Sequence, residues 1–234
     1  MRTLAIGDIH GNFTALTTLL RVAQTNADDR LVFLGDYIDV GPDSQKVIEC
    51  LIQQQRLGSR IFLRGNHEVM ILDARESFLK ADEWQTDVGL ETALSYGAAY
   101  RQGWASVIPE AHWAFIQSTV PYFETATHIF VHACLDPDLD LCDQTDWLLC
   151  WETFDKMRRH KSGKKVICGH TEQRSGNITD LGFAACIDTG AATGGWLTGL
   201  DVDSGMFWQA NESGQTREGR LSVPPSTSTA AQTP

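Results

Sequence analysis

The sequence has no long hydrophobic run, and no window is apolar over enough residues to span a bilayer. It has no excess of positive charge: 19 Lys and Arg stand against 30 Asp and Glu, a formal net charge of -11. Nucleic acid and anionic membrane surfaces are therefore not expected as partners. None of its six cysteines (Cys50, Cys134, Cys142, Cys150, Cys168 and Cys186) forms a C-x-x-C pair, so a structural zinc knuckle has no support. Buried free thiols are the expectation for at least four of them. No internal repeat is visible. Nothing resembles a targeting segment, because the apolar stretch in the opening "MRTLAIGDIHG" is too short for a signal h-region. The expected location is the cytoplasm.

What is present is an ordinary globular balance over 234 residues, 42% hydrophobic and 21% charged, enough for one sizeable core. Short apolar runs read as buried strands at Thr3–Ile6, Leu31–Leu34, Arg60–Leu63, His128–Val131, Lys165–Cys168 and Ala184–Ile187. Phe13, Leu16, Leu20 and Ala23 repeat at helical spacing after Asn12, an expected N-cap. Val47, Ile48, Leu51 and Ile52 do the same after the turn-forming "GPDS". Strand–helix–strand alternation argues for an α/β fold with a parallel sheet. Residues 70 to 125 read as a helical excursion carrying Trp84, Trp104 and Trp113. Late strands at Trp196–Val202 and Met206–Gln209 flank the hairpin turn "DVDSG". One domain over residues 1–210 is expected, followed by a loose, polar tail over 211–234.

The strand ends carry the chemistry. "GDIHG" supplies Asp8 and His10, "GDYID" supplies Asp36 and Asp39, and "GNHE" supplies Asn66, His67 and Glu68. "VHAC" supplies His132 and "CGHT" supplies His170. Carboxyl ends of parallel strands share one edge, and ligands bind there. A single Asp after a strand is usually a turn former, and a single His is usually a packing residue. Five successive strands ending in O and N donors are hard to obtain from turn chemistry alone. Carboxylate, imidazole and amide donors without a thiolate favour Mn, Fe or Zn. Nine polar groups are too many for one ion, whereas two ions bridged by a carboxylate would use them.

These blocks, "GDIHG", "GDYIDVG", "GNHE", "VHA" and "GHT", resemble the signature of the phosphoprotein phosphatase family of metallophosphoesterases, in its compact bacterial serine/threonine branch. The resemblance implies an αββα sandwich of two mixed sheets flanked by helices, which periodicity alone does not show. It implies two divalent metal ions, Mn above Fe or Zn, held by Asp8 and His10 on one side and Asn66, His132 and His170 on the other, with Asp36 bridging. It also implies His67 as general acid, held by Asp39, and Asn66 as a phosphate contact. The implied reaction is hydrolysis of phosphomonoesters by metal-activated hydroxide. The implied substrates are phosphoserine and phosphothreonine in proteins, phosphotyrosine, and small phosphoesters. A dinucleoside polyphosphate hydrolase or phosphodiesterase of the same superfamily is the alternative.

One position departs from the pattern. Val40 stands where the family shows an Arg that grips a terminal phosphate, and Val can neither carry charge nor donate. Arg174 could supply a substitute cation, although a solvated loop Arg is the simpler expectation. Cys134, two residues after His132, is the one thiol placed to matter, with packing again the simpler expectation.

Overall fold

In the computed structural model of the chain, residues 2–98 and 103–221 are described. The first half runs β1 (Thr3–Ile6), α1 (Phe13–Val22), β2 (Arg30–Phe33), α2 (Ser44–Gln54) and β3 (Arg60–Phe62). It continues with α3 (Asn66–Glu76), α4 (Phe78–Trp84), α5 (Leu90–Ser95), α6 (Trp104–Val107) and α7 (Glu110–Gln117). A π-helical turn, Gln85–Gly89, joins α4 to α5. The second half contains β4 (Tyr122–Glu124), β5 (His128–Val131), α8 (Asp146–Trp151), β6 (Lys165–Cys168), β7 (Thr179–Asp180) and β8 (Ala184–Cys186). It closes with β9 (Asp188–Thr189), β10 (Trp196–Asp201), β11 (Met206–Ala210) and β12 (Thr216–Arg220).

The early strands pair in parallel, β1 with β2 and β2 with β3, as helical crossovers require. β10 joins the other side of β1 in antiparallel register, giving the order β12-β11-β10-β1-β2-β3, with β9 also on β10. The second sheet runs β4-β5-β6-β8-β7, parallel in the middle and antiparallel at both edges. Both sheets are mixed.

The period of two along each strand divides the core into layers. Ala5, Val32 and Leu34 from the first sheet meet Phe130, Ile167 and Ala185 from the second, forming the layer between them. Their neighbours Leu4, Ile6, Leu31 and Phe33 face the other way, onto Leu16, Leu19, Val47 and Leu51 of α1 and α2. Ile129, Val131 and Val166 likewise face outward onto Leu149, Cys150 and Phe154. Helices therefore cover the outer face of each sheet, and the αββα sandwich expected from the resemblance is the observed fold. Fully burying one such side chain stabilises the fold by about 1.5–3 kcal/mol. Phe130→Ala, which would open a cavity between the sheets, should cost roughly 3–5 kcal/mol.

Two sequence expectations are corrected. Asn12 does not cap α1 through its side chain. Its Nδ2 instead donates to the carbonyls of Ile9, His10 and Ala191, which ties the His10 loop to a distant segment. The tail expected from residue 211 is not loose at its start, because β12 pairs with β11 from Met206 opposite Arg220 to Ala210 opposite Thr216. The rest of that segment, residues 222–234, lies outside the described residues. Among the described residues no helix is long and apolar enough to cross a membrane.

Candidate metal centre

The carboxyl ends of β1 and β2 in one sheet, and of β5 and β6 in the other, open onto a single place. Asp8 and His10 follow β1, Asp36 and Asp39 follow β2, His132 follows β5, His170 follows β6, and Asn66 and His67 begin α3. All eight sequence-named residues converge there. The Asp36 carboxylate lies at the centre, its Oδ2 3.5 Å from His10 Nε2, 3.5 Å from His132 Nε2 and 3.9 Å from His67 Nε2. Asn66 Oδ1 is 3.0 Å from His132 Nε2 and 3.0 Å from His170 Nδ1. Ligand atoms of His10, Asp36 and His67 form one close group, and those of Asp36, His132 and His170 a second.

Such convergence needs unusual backbone. Six described non-glycine residues have positive φ, and five of them are His10, Asp36, Asp39, Val40 and His170. Left-handed conformations cost free energy outside glycine and are retained where surrounding structure imposes them. Two glycines admit the carboxylates themselves. A Cβ on Gly65 would lie 2.1 Å from Asp36 Oδ1, and one on Gly169 would lie 2.0 Å from Asp8 Oδ1.

Three histidines are oriented as ligands. His10 Nδ1 donates to the Ile38 carbonyl, His132 Nδ1 to the Leu34 carbonyl and His170 Nε2 to the Trp151 carbonyl. Each bond fixes the tautomer and leaves the other ring nitrogen's lone pair facing the centre. Burial pushes the pKa of both His10 and His132 down to about 4 against the attraction of Asp36, so both stay neutral and able to coordinate. Asp8 Oδ1 is buried without any hydrogen-bond partner, while its Oδ2 accepts from the His170 amide. Burial, together with the like charges of Asp188 and Asp36, raises the Asp8 pKa well above the ordinary range. An orphaned acceptor among crowded carboxylates is a position that a cation would satisfy. The residues present thus fit a metal pair on donor chemistry, tautomer and unsatisfied valence.

His67 differs from the other three. Its Nδ1 meets a carboxylate, Asp39 Oδ2, at 2.8 Å. Burial alone would lower its pKa, but Asp36 and the Asp39 bond outweigh that and raise it to about 9. Asp39 is fully buried and completely engaged. Thr92 Oγ1 donates to its Oδ1 at 2.7 Å, and Trp84 Nε1 donates to its Oδ2 at 2.9 Å.

With that geometry in view, comparison with known proteins is decisive for the family. The calcineurin-like phosphoesterase family matches residues 1–190. The chain belongs to that family. It is 31% identical over 209 residues, 82% of this chain and 88% of the relative, to serine/threonine-protein phosphatase 1 of Salmonella typhimurium. Among solved structures, it resembles a crystal structure described as "a putative diadenosine tetraphosphatase", with TM-score 0.63, 20% identity and 95% of both chains covered. It also resembles a cold-active protein tyrosine phosphatase, with TM-score 0.63, 15% identity, and 93% of this chain and 78% of that one covered. At those identities the structural likenesses show the fold alone. This calcineurin-like phosphoesterase is a hydrolase, and the resemblance read from its five motif blocks is borne out.

Sequence reasoning missed the supports. Glu68 stands within "GNHE", and the resemblance implies no role for it. It is fully buried and accepts from the amides of Asp36, Tyr37 and Gly65, clamping the Asp36 loop to the start of α3. Burial and the Asp36 charge raise its pKa to about 7. Asp188, at the start of β9, is buried beside Asp8, and burial with Asp36 raises it to about 7. Trp84 and Thr92 carried no signal beyond their place in a helical excursion. Arg174 has a side chain 90% exposed and 3.9 Å from Glu172, the simpler of its two readings. Cys134 packs against Met157, and burial pushes its thiol up to about 11, which makes it a core residue.

Proposed function

We propose that this phosphoesterase is a two-metal phosphatase whose main substrates are phosphoserine and phosphothreonine in proteins. Phosphotyrosine and small phosphomonoesters fall within the same chemistry. The observation that carries the reading is the His67–Asp39 pair, set beside the donor cluster centred on Asp36. Asp8, His10 and Asp36 would hold one ion, and Asp36, Asn66, His132 and His170 the other. The donor set suits Mn, with Fe or Zn as alternatives. When bound, such ions supply Lewis acidity, lowering the pKa of water and neutralising phosphate oxygens. His67 then donates its Nε2 proton to the leaving alkoxide, while Asp39 fixes the ring and favours its charged form. Asn66 turns its Oδ1 toward the two histidine nitrogens, which leaves its amide Nδ2 to donate to phosphate. Six unpaired cysteines support a reducing, cytoplasmic setting.

The similarity to a serine/threonine phosphatase over 82% of the chain supports the protein substrate. A second reading, a dinucleoside polyphosphate hydrolase, is favoured by one observation. Val40 is 41% exposed on the Asp39 loop and offers no charge to a terminal phosphate. Turnover of a phosphoserine peptide, p-nitrophenyl phosphate and diadenosine tetraphosphate, measured side by side after chelation and Mn addition, separates the two. Dominant activity on the dinucleotide would replace the first reading with the second.

A further inference from the structure

β6 ends at Cys168, and the chain turns sharply over residues 169–171 as it leaves the sheet. The Thr171 amide donates to the Gly169 carbonyl at 2.7 Å, closing a γ-turn around His170, whose φ is 63°. The positive-φ form of this turn is the rare and strained one. Both halves of the centre depend on it. His170 Nδ1 lies 3.0 Å from Asn66 Oδ1, and the His170 amide donates to Asp8 Oδ2 at 2.9 Å. A strained turn persists only where its surroundings impose it. Gln173 imposes it on the exit side, where its Nε2 donates to Thr171 O at 2.6 Å. The same Nε2 lies 3.5 Å from Cys186 Sγ, and the Gln173 Oε1 accepts from the Thr179 hydroxyl. Thr179 and Cys186 are register partners on β7 and β8, so the amide is held by the sheet itself. The Gln173 backbone amide donates to Asp188 O at 2.9 Å, which roots the residue beside the centre.

We propose that Gln173 is a positioning residue of the metal centre, which holds the strained turn at His170 and thereby sets the affinity of the ion that His170 would share with Asp36, Asn66 and His132. The proposal rests on the two-metal reading and adds what tunes one of its two sites. Gln173 can do this because its side-chain amide is engaged at both ends. Its N–H meets a carbonyl, which only accepts, and its oxygen meets a hydroxyl, which can donate. The Cys186 thiol reaches the Thr171 carbonyl at 3.2 Å, but a thiol is a weak donor and does not replace the amide. Thr171 is half-buried, so its carbonyl, once released, can turn to water. The peptide then rotates and His170 relaxes from its left-handed conformation, which carries the ring away from Asn66 and His132. Asp8 loses one amide bond in the same movement, yet its own backbone stays on β1 and its Oδ1 does not depend on the turn. The loss should therefore fall on the His170 side of the centre and leave the Asp8–His10 side largely intact.

The test titrates the metal-free protein with Mn and reads free Mn by electron paramagnetic resonance, which gives the two dissociation constants without any assay of turnover. Gln173→Met keeps the length of the side chain and removes its hydrogen bonds. Gln173→Glu keeps an acceptor for Thr179 but has no donor for Thr171 O. Thr179→Val keeps Gln173 and removes the hydroxyl that orients it, so it tests the same contact if the first two variants do not fold. Circular dichroism of the metal-free proteins checks folding. The wild type should bind two Mn. Both Gln173 variants should bind one Mn with a dissociation constant within about twofold of wild type and the other about 10- to 100-fold more weakly, the usual effect of removing a group that orients a ligand. Thr179→Val should weaken the same ion by a smaller factor. With p-nitrophenyl phosphate, turnover of the Gln173 variants should fall at limiting Mn and recover as Mn is raised. Unchanged constants in folded variants, or equal weakening of both ions, would overturn the positioning role and leave the two-metal reading intact. A wild type that binds fewer than two Mn would overturn the two-metal reading and the proposal with it.

Discussion

Replacing Val40 with arginine should raise phosphomonoester turnover. Val40 follows Asp39, the residue that holds His67, and is 41% exposed. A longer side chain therefore needs no new cavity. The backbone there has φ 66°, a conformation that a β-branched residue tolerates poorly and an unbranched one tolerates better. The Val40 amide donates to Val88 O at 3.3 Å, and that bond does not depend on the side chain. Val40→Arg should thus fold at least as well as the wild type. A charge-assisted hydrogen bond contributes about 1.5–3 kcal/mol, and partial exposure argues for the lower half of that range. The expected gain in kcat/KM on a phosphoserine peptide is therefore about tenfold. Val40→Lys, lacking the planar fork, should gain less. A diester such as bis-p-nitrophenyl phosphate, with one fewer free oxygen, should also gain less. A Val40→Arg protein that folds, retains metal and shows unchanged monoester activity would refute the reasoning.

Four further outcomes are expected. His67→Asn should retain metal but lose turnover on alkyl phosphates by about 10²–10⁴-fold, with p-nitrophenyl phosphate suffering less because its leaving group needs less protonation. Asp36→Ala should lose both ions more readily than His10→Ala in elemental analysis after Mn loading, since Asp36 belongs to both donor groups. The pH–rate profile should fall on the alkaline side as His67 loses its proton. Neighbouring cations would bring that limb below the value of about 9 set by Asp36 and Asp39 against burial, and Asp39→Asn should move it lower still. Trp84→Phe removes one donor from the fully buried Asp39 carboxylate and should cost about 1.5–3 kcal/mol in denaturant unfolding, with metal stoichiometry unchanged.

The legible part of the site is the part that depends on strand ends. Asp8, Asp36, His132 and His170 each follow a short apolar run within two residues, so a reading of strands places them on one edge without knowledge of the second sheet. That second sheet was legible only through the resemblance. Runs such as His128–Val131 announce a strand but carry no mark of which sheet will receive it, because pairing partners are set by packing across the whole chain. The helical stretch between β3 and β4 was legible as helix, yet its purpose was not. Trp84 and Thr92 reach Asp39 across 45 and 53 residues, and nothing local to either residue signals that contact.

The same distinction separates the supports from the donors. A donor needs only a residue type at a strand end, whereas aiming it requires partners from elsewhere. The His10 ring is aimed by the carbonyl of Ile38, the His132 ring by that of Leu34 and the His170 ring by that of Trp151. These are backbone atoms, so any side chain at 34, 38 or 151 could serve, and the sequence leaves no trace of the role. Glu68 is the exception, because three amides from two loops need one carboxylate in one place. Its clamp also shows how the strained conformation of Asp36 is maintained. The positive φ of 52° at that residue costs free energy, and the bonds from Glu68 to the amides of Asp36 and Tyr37 oppose its relaxation. Glu68→Gln would keep the shape of that clamp but turn one acceptor into a donor facing amide protons. The centre should therefore loosen through a residue that holds no metal, and the first loss should be the ligand geometry around Asp36 rather than the core of either sheet.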